Sequence, residues 1–90
     1  MMYVVSYTLN PKRDATPILV ELQRSPEWWH YLDETWLIST YETVTQLHAR
    51  IIPRFIATDR VLIVQVTSQA SYQGWLPKDA WDWFRERRYK

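Results

Sequence analysis

The residue pattern predicts an α+β sandwich in the order strand, helix, strand, strand, helix, strand, followed by a further helical segment. Three observations predict it. Short runs rich in β-branched and aromatic residues recur at 2–9, 28–32, 35–40 and 60–67, which suits strands. Between them lie two stretches with apolar residues at helical spacing, each closed by a proline. A length of 90 residues leaves room for a single domain, with a core spanning 2–67 and a helical extension at 75–88.

Each element has a local reason. Met2 to Leu9 reads as the first strand, and Asn10-Pro11 breaks it, because Pro cannot donate to a sheet ladder. Thr16-Pro17 predicts a helix start, with Thr capping free amides and Pro at the first helical position. Ile18, Leu19 and Leu22 form its stripe, and Ser25-Pro26 stops it. Trp28 to Leu32 and Thr35 to Thr40 form a hairpin whose tip is Asp33-Glu34. Thr43 and Gln46 carry the capping-box pattern of the second helix. Val44, Leu47, His48 and Ile51 share one helical face, and Pro53 ends the helix. Arg60 to Thr67 is the fourth strand; its core, Val61 to Val64, is apolar on both faces and so predicts cover on both. Ser68 to Gly74 is a polar connection. Pro77 opens the last helix, with Asp79 in its first turn and Arg85, Arg87 and Arg88 at its end, matching the helix dipole.

With right-handed crossovers, this order predicts the ferredoxin-like βαββαβ sandwich, with the first and third strands central and two helices on one sheet face. The opposite face poses a problem. Tyr3, Val5 and Tyr7 point one way and Met2 and Val4 the other; Trp28, His30 and Leu32 point one way and Trp29 and Tyr31 the other. Two helices cannot hide both sets. The terminal segment, a second copy of the chain, or both must cover the remainder, since burying one large apolar side chain yields roughly 1.5–3 kcal/mol. Tyr3, Tyr7, Trp29, Tyr31 and Trp36 are therefore expected to pack a sheet face or a dimer contact.

Composition excludes several functions. A single Gly removes glycine-rich phosphate loops, and the absence of Cys removes disulfides, thiolate metal sites and a cysteine nucleophile. No apolar run is long enough for a membrane span, and the start lacks a signal-peptide pattern, so a cytoplasmic protein is expected. The net charge of +1 is too small to force nucleic-acid binding. Its distribution is uneven: residues 41–90 carry eight basic and five acidic side chains, whereas 1–40 carry three and five.

A family likeness enters here. Trp28-Trp29-His30-Tyr31-Leu32-Asp33, followed by Thr35-Trp36-Leu37-Ile38, resembles the hairpin of SinR-family small bacterial proteins, within the broader superfamily of CRISPR-associated protein 2 and related small nucleases. Tyr3-Val4-Val5-Ser6-Tyr7 and Asp59-Arg60-Val61-Leu62-Ile63-Val64 resemble the family's first and fourth strands. The resemblance implies a ferredoxin-like fold, a homodimer and proximity to nucleic acid. In the metal-dependent nucleases of that superfamily the first strand ends in an Asp. Here Ser6-Tyr7-Thr8-Leu9-Asn10 places Thr8 at that position, and a hydroxyl cannot supply the anionic oxygen that Mg²⁺ prefers. Asp14 lies six residues further on. The CRISPR adaptor also ends in a strand that crosses to its partner, whereas Pro77 onward is helical and aromatic here. No cofactor, metal or catalytic residue is expected.

Several residues invite a functional reading. Asp33 and Glu34 could hold a metal or move protons, but carboxylates at a hairpin tip are usually just solvated. His30 could be a ligand or base, though a hydrogen-bonded sheet histidine is the simpler reading. His48, on the apolar stripe, reads as a core histidine. Ser6 and Ser39 lack an evident base partner. Trp75, Trp81, Trp83 and Phe84, interleaved with Arg85, Arg87 and Arg88, have the chemistry to stack bases and hold phosphate. The competing reading, which is preferred, docks Trp81 and Phe84 on the open sheet face. Lys12, Arg13, Arg50 and Arg54 could extend the basic surface. These readings lead to a non-catalytic homodimeric binding or adaptor module that touches DNA, RNA or a nucleoprotein partner. The alternatives are a metal-dependent endonuclease using Asp14, Asp33 or Glu34, and a protein-binding module from a phage or mobile element.

Overall fold

A computed structural model describes residues 1–67 and 69–87. The elements run β1 (Met2–Thr8), α1 (Thr16–Gln23), β2 (Glu27–Leu32), β3 (Thr35–Ser39), α2 (Val44–Ile51), a 3₁₀ turn (Ile52–Arg54), β4 (Arg60–Val66) and α3 (Lys78–Arg87). The sheet order is β2-β3-β1-β4, all antiparallel, with β1 and β3 central. This is the expected ferredoxin-like α+β sandwich with a C-terminal helix.

Local chemistry sets the boundaries. At α2 the capping box forms as expected: Thr43 Oγ1 accepts the Gln46 N–H, and Gln46 Oε1 accepts the Thr43 N–H. α1 differs by one position. Thr16 is its first helical residue rather than its cap, because the Asp14 carboxylate accepts both the Thr16 N–H and its hydroxyl at 3.0 and 2.7 Å. Pro53 does not stop the chain abruptly; the 3₁₀ turn carries it onward for three residues.

The sheet has two differently built faces. On one, Tyr3, Val5, Tyr7, Trp36 and Ile38 pack against Ile18 and Leu22 of α1 and Leu47 and Ile51 of α2. The polar tips in this layer are satisfied: Trp36 Nε1–H donates to Tyr7 Oη at 3.0 Å, and Tyr3 Oη–H donates to the Glu42 carbonyl at 2.7 Å. On the other face Met2, Trp29 and Leu37 pack against Ala80 and Phe84 of α3, and Trp29 Nε1–H donates to the Ala80 carbonyl at 3.1 Å. The terminal helix thus docks on the sheet face that two helices could not reach.

Three expectations need correction. Leu32 does not share a face with Trp28 and His30. The β2–β3 register shifts between Trp29 and Leu32, and this bulge turns Leu32 to the α3 side, where it lines an apolar cavity of about 150 Å³ with Val4, Trp29 and Phe84. His48 is exposed rather than in the core, because α2 buries only the narrower stripe of Leu47 and Ile51. β4 is not covered on both faces. α3 lies over the β2 side, so Leu62 and Val64 stay 63% and 49% exposed at the far edge.

Candidate nucleic-acid interface

The Pro77 carbonyl accepts the N–H groups of Ala80 and Trp81, at 3.1 and 3.4 Å, which starts α3. Lys78 and Asp82 brace its outer face as an i,i+4 pair at 2.7 Å. Burial of Ala80 and Phe84 sets the helix rotation and leaves Trp81 and Arg85, four residues apart, on one flank.

The segment before the helix lies along that flank. Tyr72, Gln73 and Gly74 join Trp81 and Arg85 to line an open cleft of about 440 Å³. The Tyr72 and Trp81 rings stack with centroids 5.8 Å apart and planes 26° apart. Tyr72 also packs on Phe84 at 4.4 Å, which ties the cleft to the buried layer. The backbone of Gly74 passes close to the indole: a Cβ there would sit 3.6 Å from Trp81 Cη2. Arg85 Nε–H reaches back to the Trp81 backbone carbonyl at 3.4 Å, and both residues line the cleft. Trp75, next in the chain, is 99% exposed. Flat rings and a cation side by side can stack a base and hold its phosphate.

The remaining basic candidates separate. Lys12 is exposed. Arg13, Arg50 and Arg54 each pair with a carboxylate of the chain; Arg13 and Arg50 are largely covered, whereas Arg54 stays exposed. Arg13 pairs with Asp59, a carboxylate with 1% side-chain exposure that also accepts the Asn10 and Ile56 N–H groups at 2.9 Å. Burial raises the Asp59 pKa, but these amides and Arg13 outweigh it and hold the carboxyl below its ordinary value. Arg50 bonds Glu42, Glu21 and Ser25, and Arg54 bonds Glu21 at 3.2 Å. Arg87 is the last residue of α3, and Arg88 lies outside the described residues.

Of the packing candidates, Tyr3, Tyr7, Trp29 and Trp36 are buried inside the chain; only Tyr31 is exposed, its ring 5.0 Å from Trp29. His30 is exposed, stacks on Trp36 at 4.0 Å and donates Nε2–H to the Asp33 carbonyl at 2.8 Å. Asp33 and Glu34 are exposed at the hairpin tip, and Glu34 Oε2 accepts the Leu9 N–H at 3.3 Å. Asp14 serves the start of α1. Ser6 shares a hydrogen bond with Thr35, and Ser39 is buried in β3. Among the described residues no group of three or more His, Asp or Glu is placed to hold a metal ion, and no helix is long and apolar enough to cross a membrane.

Sequence reading missed Tyr72, Gln73 and Gly74, which looked like a polar connection. It also missed the buried carboxylates Glu21 and Asp59. Glu21 had a signal: it stands three residues after Ile18, on the same buried stripe. Fold and cleft together define a small ferredoxin-like sandwich with an aromatic and basic surface. Comparison with protein-family models, curated proteins and solved structures finds no match.

Proposed function

We propose that the chain is a non-catalytic, homodimeric binding module that takes single-stranded nucleic acid at the Tyr72–Trp81–Arg85 cleft, in the manner of the SinR and CRISPR-associated protein 2 type that its hairpin resembles. The observation that carries this reading is Trp75. Its indole is almost wholly in water, one residue along the chain from Gly74 of the cleft, and its exposure suits an incoming base. The uneven charge supports the same end of the chain, which holds Arg85, Arg87 and Arg88. Thr8 argues against the nuclease alternative. A cytoplasmic location accords with the reading.

The test is anisotropy of labelled DNA and RNA oligonucleotides of about 16 nucleotides, single- and double-stranded. Single strands should bind, quench tryptophan fluorescence and weaken as salt rises. No salt-dependent binding to any of them overturns the proposal. Cleavage in Mg²⁺ or Mn²⁺ that Asp33→Ala abolishes would install the nuclease instead.

A further inference from the structure

β4 lies at the edge of the sheet and lacks the usual protection. Natural edges carry charges, prolines or bulges that discourage another strand from adding. From Val61 to Val66 there is no charged residue and no proline, and β4 pairs with β1 in continuous register over seven residues.

The backbone shows which groups face outward. Met1 and Thr40 exchange hydrogen bonds at 2.7 and 2.9 Å, and the Tyr7 N–H donates to the Glu34 carbonyl at 3.0 Å. Odd-numbered residues of β1 therefore turn their amides and carbonyls to β3, and even-numbered ones turn theirs to β4. The β4 residues opposite Met2, Val4, Ser6 and Thr8 are Val66, Val64, Leu62 and Arg60. These four use their backbone groups on β1. The amides and carbonyls of Val61, Ile63 and Gln65 point away from the sheet.

We propose that β4 pairs antiparallel with β4 of a second copy, about a two-fold axis through Ile63, so that two sheets become one. The inference rests on the homodimer reading above and names its surface. That axis sets Ile63 against the partner's Ile63 and Val61 against the partner's Gln65, so every outward backbone group of the strand finds a partner. The same register sets Leu62 opposite the partner's Val64. On the sheet face beside α3 these are the exposed apolar side chains of β4, at 63% and 49%, and pairing joins them into one cluster of four. A groove of about 290 Å³, lined by Val44, Thr45, His48 and Val61 to Ile63, opens along this edge, so α2 leaves room for an added strand.

The test combines sedimentation equilibrium of the full chain with amide hydrogen exchange by NMR. The native chain should be a dimer at micromolar concentration, with the amides of Val61, Ile63 and Gln65 as protected as those of Leu62 and Val64. Leu62→Lys places like charges across the axis and should raise the dissociation constant about a hundredfold or more, with the far-UV spectrum unchanged. Gln65→Pro removes one outward amide and no bond within the chain, and should also weaken the dimer. A monomeric native chain overturns both this inference and the homodimer reading. A dimer with rapidly exchanging Val61, Ile63 and Gln65 amides, or one indifferent to both variants, overturns only the β4 pairing. Assembly beyond a dimer overturns it as well.

Discussion

Arg50 grips Glu42 through three hydrogen bonds, from Nε at 3.2 and 3.0 Å and from Nη2 at 2.9 Å, while its Nη1 reaches Glu21 at 3.2 Å. One guanidinium thus joins α1, α2 and the turn before α2. Its planar fork reaches Glu42, Glu21 and Ser25 from three nitrogens at once, more bonds than a lysine's single nitrogen could make. The pairing makes Arg50 a structural residue.

Arg50→Met should therefore destabilise the fold and leave nucleic-acid affinity unchanged. Glu21 is 5% exposed and would lose its main cation. The expected loss is about 3 kcal/mol, at the low end for a broken buried pair, because the Arg50 side chain keeps 23% exposure. Urea unfolding at pH 7 measures it, and an Arg50→Lys variant should recover only part.

The same network sets the acid limit of the protein. Hydrogen bonds from Arg50 hold the Glu42 carboxyl below the ordinary glutamate value. Burial raises Glu21, but the bonds from Arg50 and Arg54 outweigh it and leave Glu21 lowered as well. A carboxyl whose folded pKa is depressed contributes fully above its unfolded value, and the contribution fades as the pH falls through the folded value. Stability should hold from neutral pH to about pH 5 and decline from about pH 4.3 downward. Unfolding curves at a series of pH values should show this, and Glu42→Gln should flatten the decline.

Docking of α3 is a packing event with a polar latch. Phe84→Ala should cost roughly 3 kcal/mol and weaken tryptophan near-UV signals as the helix loosens from Met2, Trp29 and Leu37. Trp29→Phe removes the bond to the Ala80 carbonyl and should cost about 1 kcal/mol beyond the lost packing. Thermal unfolding with circular dichroism separates the two variants.

Function and stability should separate at the cleft. Trp75 is 99% exposed, so Trp75→Ala should shift stability by less than about 0.5 kcal/mol. The same change should weaken oligonucleotide binding by about tenfold, since one stacked base contributes roughly 1–3 kcal/mol. Arg85→Gln should lower both the affinity and its salt dependence. Gly74→Ala is sterically allowed: its Cβ would meet Trp81 at an ordinary 3.6 Å, and the native backbone there is not left-handed. Anisotropy titrations at two salt concentrations read these effects.

Much of the fold was legible because its signals are local. The Thr43–Gln46 box, the prolines and the strand compositions act within a few residues, and tertiary packing had no reason to override them. The docking of the last helix was legible for a different reason: the second sheet face demanded cover, and Trp81 and Phe84 were expected to supply it; Phe84 does so, together with Ala80. The fate of the arginines was not legible. Lys12 and Arg50 look alike in a one-dimensional reading, yet Arg50 is clasped by two carboxylates and Lys12 is exposed.

The sequence by itself determined the order of elements, their boundaries to within a residue or two, and the need to bury both faces of the sheet. Those follow from backbone geometry and hydrophobic periodicity, which each short segment carries alone. Only the tertiary structure decided which charges were neutralised, that a bulge turned Leu32 to the α3 side, and that Leu62 and Val64 lay open at the edge. Each of these depends on residues far apart in the chain. Asp59 meets Arg13, and Glu21 meets Arg50, only after the elements that carry them have packed.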